Sequence, residues 1–270
     1  MTVKVGFIGA GNMGFAMIKG IINSKHINAK NVYVFDLDKE KLHVIKNEMK
    51  INVANSTEDI VENCDLIILA VKPNLVKSLL TDLKSKFDTN KILISVAVGI
   101  PIKTYEDIIG EDKKIIRTMP NLPAVVGEGM TLACCNSKVG EGEFEAVCKM
   151  FECMGEVEII EERLLTEVTA LTGSSPAYMF MILEAMADAA VLSGINRKLA
   201  YKLAAQAMLG SAKLFKESGL HPGELKDRVC SPSGSTIEAV TALEKNGLRY
   251  TIIEAMNRCT DKARDIGSIS

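Results

Sequence analysis

The sequence predicts a mostly parallel α/β domain over residues 1–161, followed by an all-α domain over residues 162–270. Three observations carry this. Up to about Ile160, short β-branched runs alternate with amphipathic stretches, the rhythm of parallel strands joined by crossover helices. Those runs are apolar throughout instead of alternating in polarity, as expected of strands covered on both faces. After Glu161 the strand signal stops, and segments such as 179–192 and 199–215 become rich in Ala, Met and Leu.

Taken in order, strands are expected at residues 3–8, 31–35, 66–71, 91–96 and 114–118. A last pair at 130–134 and 156–160 flanks a helix near 142–154. The segment Gly-Ser-Ser-Pro-Ala at 173–177 reads as a break between two helices, with Pro176 suited to a helix start. Several later helices are apolar on more than one face, and a bundle of about 105 residues has little room to bury them all. A partner subunit is expected to cover the surplus. The sequence holds no internal repeat, low-complexity segment or flexible linker.

Composition excludes several classes of function. With 47% apolar residues in 270, the chain has enough for a sizeable core. Basic and acidic side chains number 32 and 34 with no basic run, which argues against a nucleic-acid partner. Seven scattered cysteines form no Cys-x-x-Cys and fit a reducing, cytoplasmic compartment. His26, His43 and His221 show no zinc spacing, so no metal is expected. The uncharged stretch 6–18 is interrupted by glycines and Asn12, a poor signal segment. The stretch 168–183 is broken by Gly173 to Pro176 and is expected to fall short of the roughly 20 apolar residues of a membrane span.

The first expected strand runs into Gly9-Ala10-Gly11-Asn12-Met13-Gly14, a G-x-G-x-x-G followed by a helix-like segment. In that context Gly9 permits a tight turn, Gly11 lets backbone approach a pyrophosphate, and Gly14 lets helix pack on strand. The helix start, with Asn12 and Met13, offers free amides to phosphates. This is the pattern of a Rossmann dinucleotide site. The second strand ends in Asp36, 22 residues beyond Gly14, where a carboxylate accepts ribose hydroxyls and repels a 2′-phosphate. The cofactor is NADPH or NADH, with Asp36 favouring NADH; Lys39 and Lys41 nearby are either phosphate neutralisers or solvated helix charges. Ala70, Val71, Lys72 and Pro73 end another strand at the carboxyl edge of the sheet and are expected to border the dinucleotide. Pro73 also suits the first position of a helix. Asn55 reads as the cap of a helix at Thr57.

The string RTMPNLPAVVGEGMT at 117–131 is more particular than any generic dinucleotide fold, and it closely resembles the corresponding stretch of pyrroline-5-carboxylate reductases. The resemblance extends to the glycine loop, to AVKP at 70–73, to LTGSSPAY at 171–178 and to SPSGSTI at 231–237, in family order across essentially the whole chain. The chain departs from the pattern at Thr172 and Ser175, where Ser and Gly are common, and at Ser233 and Ser235, where Gly and Thr are common. A position needing positive φ resists the change from glycine to Ser233. The resemblance implies a Rossmann domain, a helical domain building an intertwined homodimer that often assembles into larger rings, and NADPH or NADH as reductant. The implied substrate is 1-pyrroline-5-carboxylate and the implied product is L-proline.

Residues 231–236 precede an apolar-periodic helix carrying Ile237, Val240 and Leu243. Ser235-x-x-Glu238 reads as a capping box at its start. A small-residue loop entering a helix offers amides, hydroxyls and the positive end of the dipole, enough to hold a carboxylate; the same pattern also suits an ordinary capped helix. The family match favours the first reading, with Ser231, Ser233, Gly234, Ser235 and Thr236 binding substrate. Hydride transfer to an imine requires mainly alignment of ring and nicotinamide. Thr236, by family match, is the catalytic candidate, its hydroxyl near the ring nitrogen. Two other readings compete. Relatives of β-hydroxyacid dehydrogenase resemble one another in a helical Lys with Asn four residues on, a pair absent beyond Leu171. A non-enzymatic dinucleotide sensor keeps Gly9, Gly11 and Gly14 but has no use for a carboxylate loop.

Overall fold

Neighbouring side chains along each strand enter opposite cores. On β1 (Val5–Ile8), Val5 and Phe7 join one apolar cluster and Ile8 the other; on β4 (Leu66–Leu69), Ile68 joins the first and Ile67 and Leu69 the second. The same alternation holds for β5 (Ile92–Ser95) and β6 (Lys114–Met119). Both faces of the sheet are therefore covered, which is why these strands lack polar alternation. The structure, a computed structural model, describes residues 3–25 and 27–269, with side chains through 266.

Packing divides the chain into two units, one running to Ser174 and resuming at Cys259, the other Ser175–Arg258. The first holds an eight-stranded sheet in the order β3-β2-β1-β4-β5-β6-β7-β8. Its further strands are β2 (Val32–Phe35), β3 (Asn52–Val53), β7 (Gly129–Cys135) and β8 (Gly155–Ile159). Every pairing is parallel except β6 with β7. The two-residue β3 was not anticipated, being too short to carry a pattern.

The crossover helices are α1 (Asn12–Ser24), α2 (Lys39–Met49), α3 (Thr57–Asn63), α4 (Pro73–Leu83), α5 (Ile102–Ile109) and α6 (Glu141–Glu152). α1 and α6 contribute Met17, Ile21, Val147 and Phe151 to one cluster, and α4 and α5 contribute Val76, Leu80, Tyr105 and Ile109 to the other. Ser56, not Asn55, caps α3: its hydroxyl accepts the Asp59 amide at 3.2 Å, while Asp59 accepts the Asn55 amide at 3.0 Å.

The packing boundary differs from the one expected at residue 161. Leu165 of α7 (Glu162–Glu167) is buried in the second cluster, so this helix belongs with the sheet. A single π turn, Thr169–Gly173, follows, its Thr172 carbonyl accepting the Asn121 side chain at 3.0 Å. The helical break expected at 173–177 is only a bend at Ser174, because Pro176 falls in the first turn of α8 (Ser175–Leu192), where a missing N–H costs no hydrogen bond. As a result Thr169–Leu192, a 24-residue helix with an 18-residue window of mean hydropathy 1.3, is long and apolar enough to cross a membrane by length and composition. That corrects the expectation that it would fall short.

In the second unit, α8 packs on α9 (Arg197–Ser218). Their buried residues are small: Ala187, Ala200 and Ala204. The large apolar side chains, among them Phe180, Met181, Leu203, Leu209 and Phe215, are exposed. Then come α10 (Pro222–Val229), α11 (Ser235–Lys245) and the first part of α12 (Leu248–Ile269), whose last part belongs to the first unit.

Candidate active site

The three glycines of the first turn do three separate jobs. Gly9 sits at φ 104 and an added Cβ would lie 2.5 Å from the Ala70 carbonyl oxygen; at Gly14 it would lie 2.4 Å from the Gly9 carbonyl oxygen. These two close the turn and dock the helix. At Gly11 an added Cβ meets nothing within 4 Å, so that glycine keeps space open. Gly11 caps α1 with no side-chain hydrogen bond, and the first turn carries no acid. The leading amides, those of Asn12, Met13 and Gly14, are therefore left for an anion. This fits a dinucleotide pyrophosphate.

Asp36 closes the turn from the side of β2. Its Oδ2 accepts the Ala10 amide at 2.6 Å and its Oδ1 the Asp38 amide at 3.0 Å, while the Phe35 carbonyl accepts the Gly9 amide at 2.8 Å. Asp38 in turn caps α2 through the Lys41 amide. On the other side the Ala70 amide donates to the Ile8 carbonyl at 2.9 Å, and Lys72 precedes Pro73 at the start of α4. Ile8, Gly9, Asp36, Val71 and Lys72 line one cleft of about 470 Å³ at the carboxyl ends of β1, β2 and β4. This is where the strand order reverses.

Sequence reasoning missed part of this cleft. Leu37, Thr57, Leu75, Ser78, Leu79 and Asp82 also line it, chiefly from α4. The α4 residues occupy one helical face at positions 75, 78, 79 and 82, a spacing visible in sequence once that helix is placed. Neither Lys39 nor Lys41 lines it.

The second loop lies in the other unit. It joins α10 to α11 and turns at Gly234, whose amide donates to the Ser231 carbonyl at 3.0 Å. The expected capping box is not formed: Gly234 is the cap of α11, with no side-chain hydrogen bond, and Ser235 is already the first helical residue. The reason is one of register, since a capping box needs its serine one position earlier. The consequence is that the first amides of α11, including that of Thr236, have no internal partner. Ser233 takes φ 58 despite its side chain. Of the residues singled out in the sequence, Gly9, Asp36, Val71 and Lys72 line the cleft at the carboxyl ends of β1, β2 and β4. Gly11, Asn12, Met13 and Gly14 form the turn and helix start that follow Gly9, Ala70 follows β4 beside it, and Pro73 lines a separate hollow with Ile100 and Thr104. Ser231, Ser233, Gly234, Ser235 and Thr236 cluster at one helix start.

Among the described residues no three His, Cys, Asp or Glu side chains form a metal-binding group; His26 lies outside them. Burial pushes the Cys64 and Cys134 thiols up to about 12, so they are apolar packing groups at neutral pH.

Comparison with known proteins agrees with this geometry. A family model described as pyrroline-5-carboxylate reductase dimerisation matches residues 162–266, and one described as NADP oxidoreductase coenzyme F420-dependent matches residues 4–99. The pyrroline-5-carboxylate reductase of Escherichia coli is 43% identical over 98% of this chain and 99% of its own length. That of Methanosarcina acetivorans is 39% identical, covering 98% of each chain. The crystal structure of Plasmodium falciparum pyrroline carboxylate reductase with NADP bound superposes with a TM-score of 0.91 at 33% identity, covering 98% of each chain. An NADH-preferring ketol-acid reductoisomerase, at 14% identity and a TM-score of 0.64, shares the fold alone. With identity at this level across nearly its whole length, the chain belongs to the pyrroline-5-carboxylate reductase family.

Proposed function

We propose that this chain reduces 1-pyrroline-5-carboxylate to L-proline, the last step of proline biosynthesis, with NADH as the preferred reductant. The observation that carries the reaction is the 43% identity over 98% of the chain, which includes both site loops. The reduced nicotinamide supplies the hydride when bound. The chain's own residues hold and orient. Gly9, Gly11 and Gly14 with the amides of Asn12 and Met13 take the pyrophosphate, Asp36 the adenosine ribose, and residues 70–73 the edge of the cleft. Ser231, Ser233, Gly234 and Ser235 take the substrate carboxylate through hydroxyls and the uncapped start of α11. The Thr236 hydroxyl is assigned to the ring nitrogen, where it steadies the proton.

The coenzyme preference is supported by the charge of the cleft. Asp36 and Asp82 line it against a single cation, Lys72, a balance that disfavours a 2′-phosphate. The outward apolar faces of α8 and α9 support a homodimer, with further assembly into a ring as the family suggests, and explain the apolar length of Thr169–Leu192 without a membrane. A cytoplasmic location completes the proposal.

Oxidation of NADH on adding 1-pyrroline-5-carboxylate, with proline as product, tests the reaction. A protein that binds NADH but reduces no imine would be the sensor, and one that oxidises a β-hydroxyacid instead would be the dehydrogenase. Gly11→Val tests the coenzyme site: the added side chain has room in the protein, so the variant should fold and lose NADH affinity.

A further inference from the structure

A buried polar network underlies the loop that joins β5 to α5. The hydroxyls of Ser95 and Tyr105, both 0% exposed, share a hydrogen bond of 2.6 Å. Ser95 Oγ also accepts the Ala97 amide at 3.2 Å, and the Ser95 carbonyl accepts the Thr118 hydroxyl of β6 at 3.2 Å. At the far end of the loop Pro101 gives α5 no side-chain cap. The Glu162 carboxylate of α7 takes that place, accepting the Ile102 amide at 2.6 Å. Arg117 of β6, 5% exposed, donates to the same Glu162 oxygen at 3.2 Å. The loop 96–101 is thus pinned at both ends by side chains from four elements.

Such a network is not the cheapest way to fill a core. Apolar side chains of similar volume pack without the desolvation that a buried guanidinium incurs, here offset in part by the half-buried Glu162 carboxylate. Burial also pushes the Tyr105 phenol up to about 12, which keeps it a neutral hydroxyl across the working range of pH. What the network provides is a fixed backbone at the carboxyl end of β5.

That position matters to the reaction. Adenosine at Asp36 and pyrophosphate at the glycine turn place the adenosine half of a dinucleotide over β2 and β1. The remaining half then runs across the reversal of strand order toward the ends of β4 and β5. In the loop there, Ala97, Gly99 and Ile100 are buried while Val96 and Val98 are half-buried. We propose that Tyr105 and Glu162 are positioning residues for hydride transfer, holding loop 96–101 as a rigid floor beneath the nicotinamide end. The proposal rests on the coenzyme assignment above.

The test compares Tyr105→Phe, Glu162→Gln and Glu162→Ala with the wild type in four readouts. These are amide exchange of residues 96–102 without coenzyme, NADH affinity by fluorescence, steady-state kcat and KM, and the primary isotope effect with deuterium at the transferred position of NADH. Tyr105→Phe should speed exchange in 96–102, leave NADH affinity within about twofold, lower kcat about tenfold and raise the isotope effect, since misalignment acts on the chemical step. Glu162→Gln keeps an acceptor for the Ile102 amide and should recover most of the kcat lost in Glu162→Ala. The proposal is overturned if exchange quickens or thermal stability falls while kcat and the isotope effect stay at wild-type values, because the network then serves stability only. It is equally overturned if no readout changes. Gly11→Val is run alongside: retained NADH affinity in that variant would overturn the coenzyme assignment, an outcome separable from any result at Tyr105 or Glu162.

Discussion

The Asp36 carboxylate accepts the Ala10 amide at 2.6 Å, so one side chain both lines the cleft proposed for the coenzyme and ties the end of β2 to the glycine turn. Coenzyme choice and loop order are therefore coupled. Wild-type kcat/KM should be higher with NADH than with NADPH. Asp36→Ser should narrow or reverse that ratio, and should also weaken NADH by about 1 to 3 kcal/mol, because a charge-assisted bond to the turn is lost. Titration of both coenzymes into both proteins measures this. A wild-type enzyme that strongly prefers NADPH would overturn the assignment.

Ser233 holds a left-handed conformation, φ 58, that costs a residue with a Cβ roughly 1 to 2 kcal/mol. Ser233→Gly removes the strain but adds freedom to the unfolded chain. The balance should raise stability by up to about 1 kcal/mol. Thermal midpoints taken at one protein concentration check it. A lower midpoint would show that the hydroxyl makes a bond worth more than the strain.

The second unit buries alanines between α8 and α9 and turns Phe180, Met181, Leu203, Leu209 and Phe215 outward. A lone protomer leaves that surface in water, so folding and association should be linked. The thermal midpoint should rise with protein concentration, and sedimentation should show a dimer at micromolar concentration. A stable, active monomer there would contradict the linkage.

Thr236 is the second residue of α11, in the second unit, whereas every proposed dinucleotide contact lies in the first. Its hydroxyl should matter to the imine and not to NADH. Thr236→Ala should lower kcat/KM for 1-pyrroline-5-carboxylate by roughly ten- to a hundredfold, the equivalent of about 1 to 3 kcal/mol, with the NADH dissociation constant nearly unchanged. Thr236→Ser, which keeps the hydroxyl, should recover most of the loss. Full activity in Thr236→Ala, or a loss confined to NADH binding, would reduce the residue to a helix-start contact.

The order of elements, the doubly covered sheet, the turn at Gly9 to Gly14 and the acid at the end of β2 were all legible in the residues, because each depends on neighbours close in sequence. Apolar runs, glycine spacing and a strand-terminal carboxylate are local signals. The string 117–131 and the loop at 231–237 were legible too, as a resemblance. What the tertiary structure decided depends on partners far along the chain. It put Leu165 into the sheet's core and so carried that unit past residue 161. It turned the break at 173–177 into a bend, moved the cap of α11 from Ser235 to Gly234, and set one face of α4 on the lining of the same cleft as Asp36. It also gathered Ser95, Tyr105, Arg117 and Glu162, scattered over some 70 positions of sequence, into one network under one loop. Spacing along a chain records a helix face or a turn, but it holds no record of two side chains that meet only after the sheet has formed.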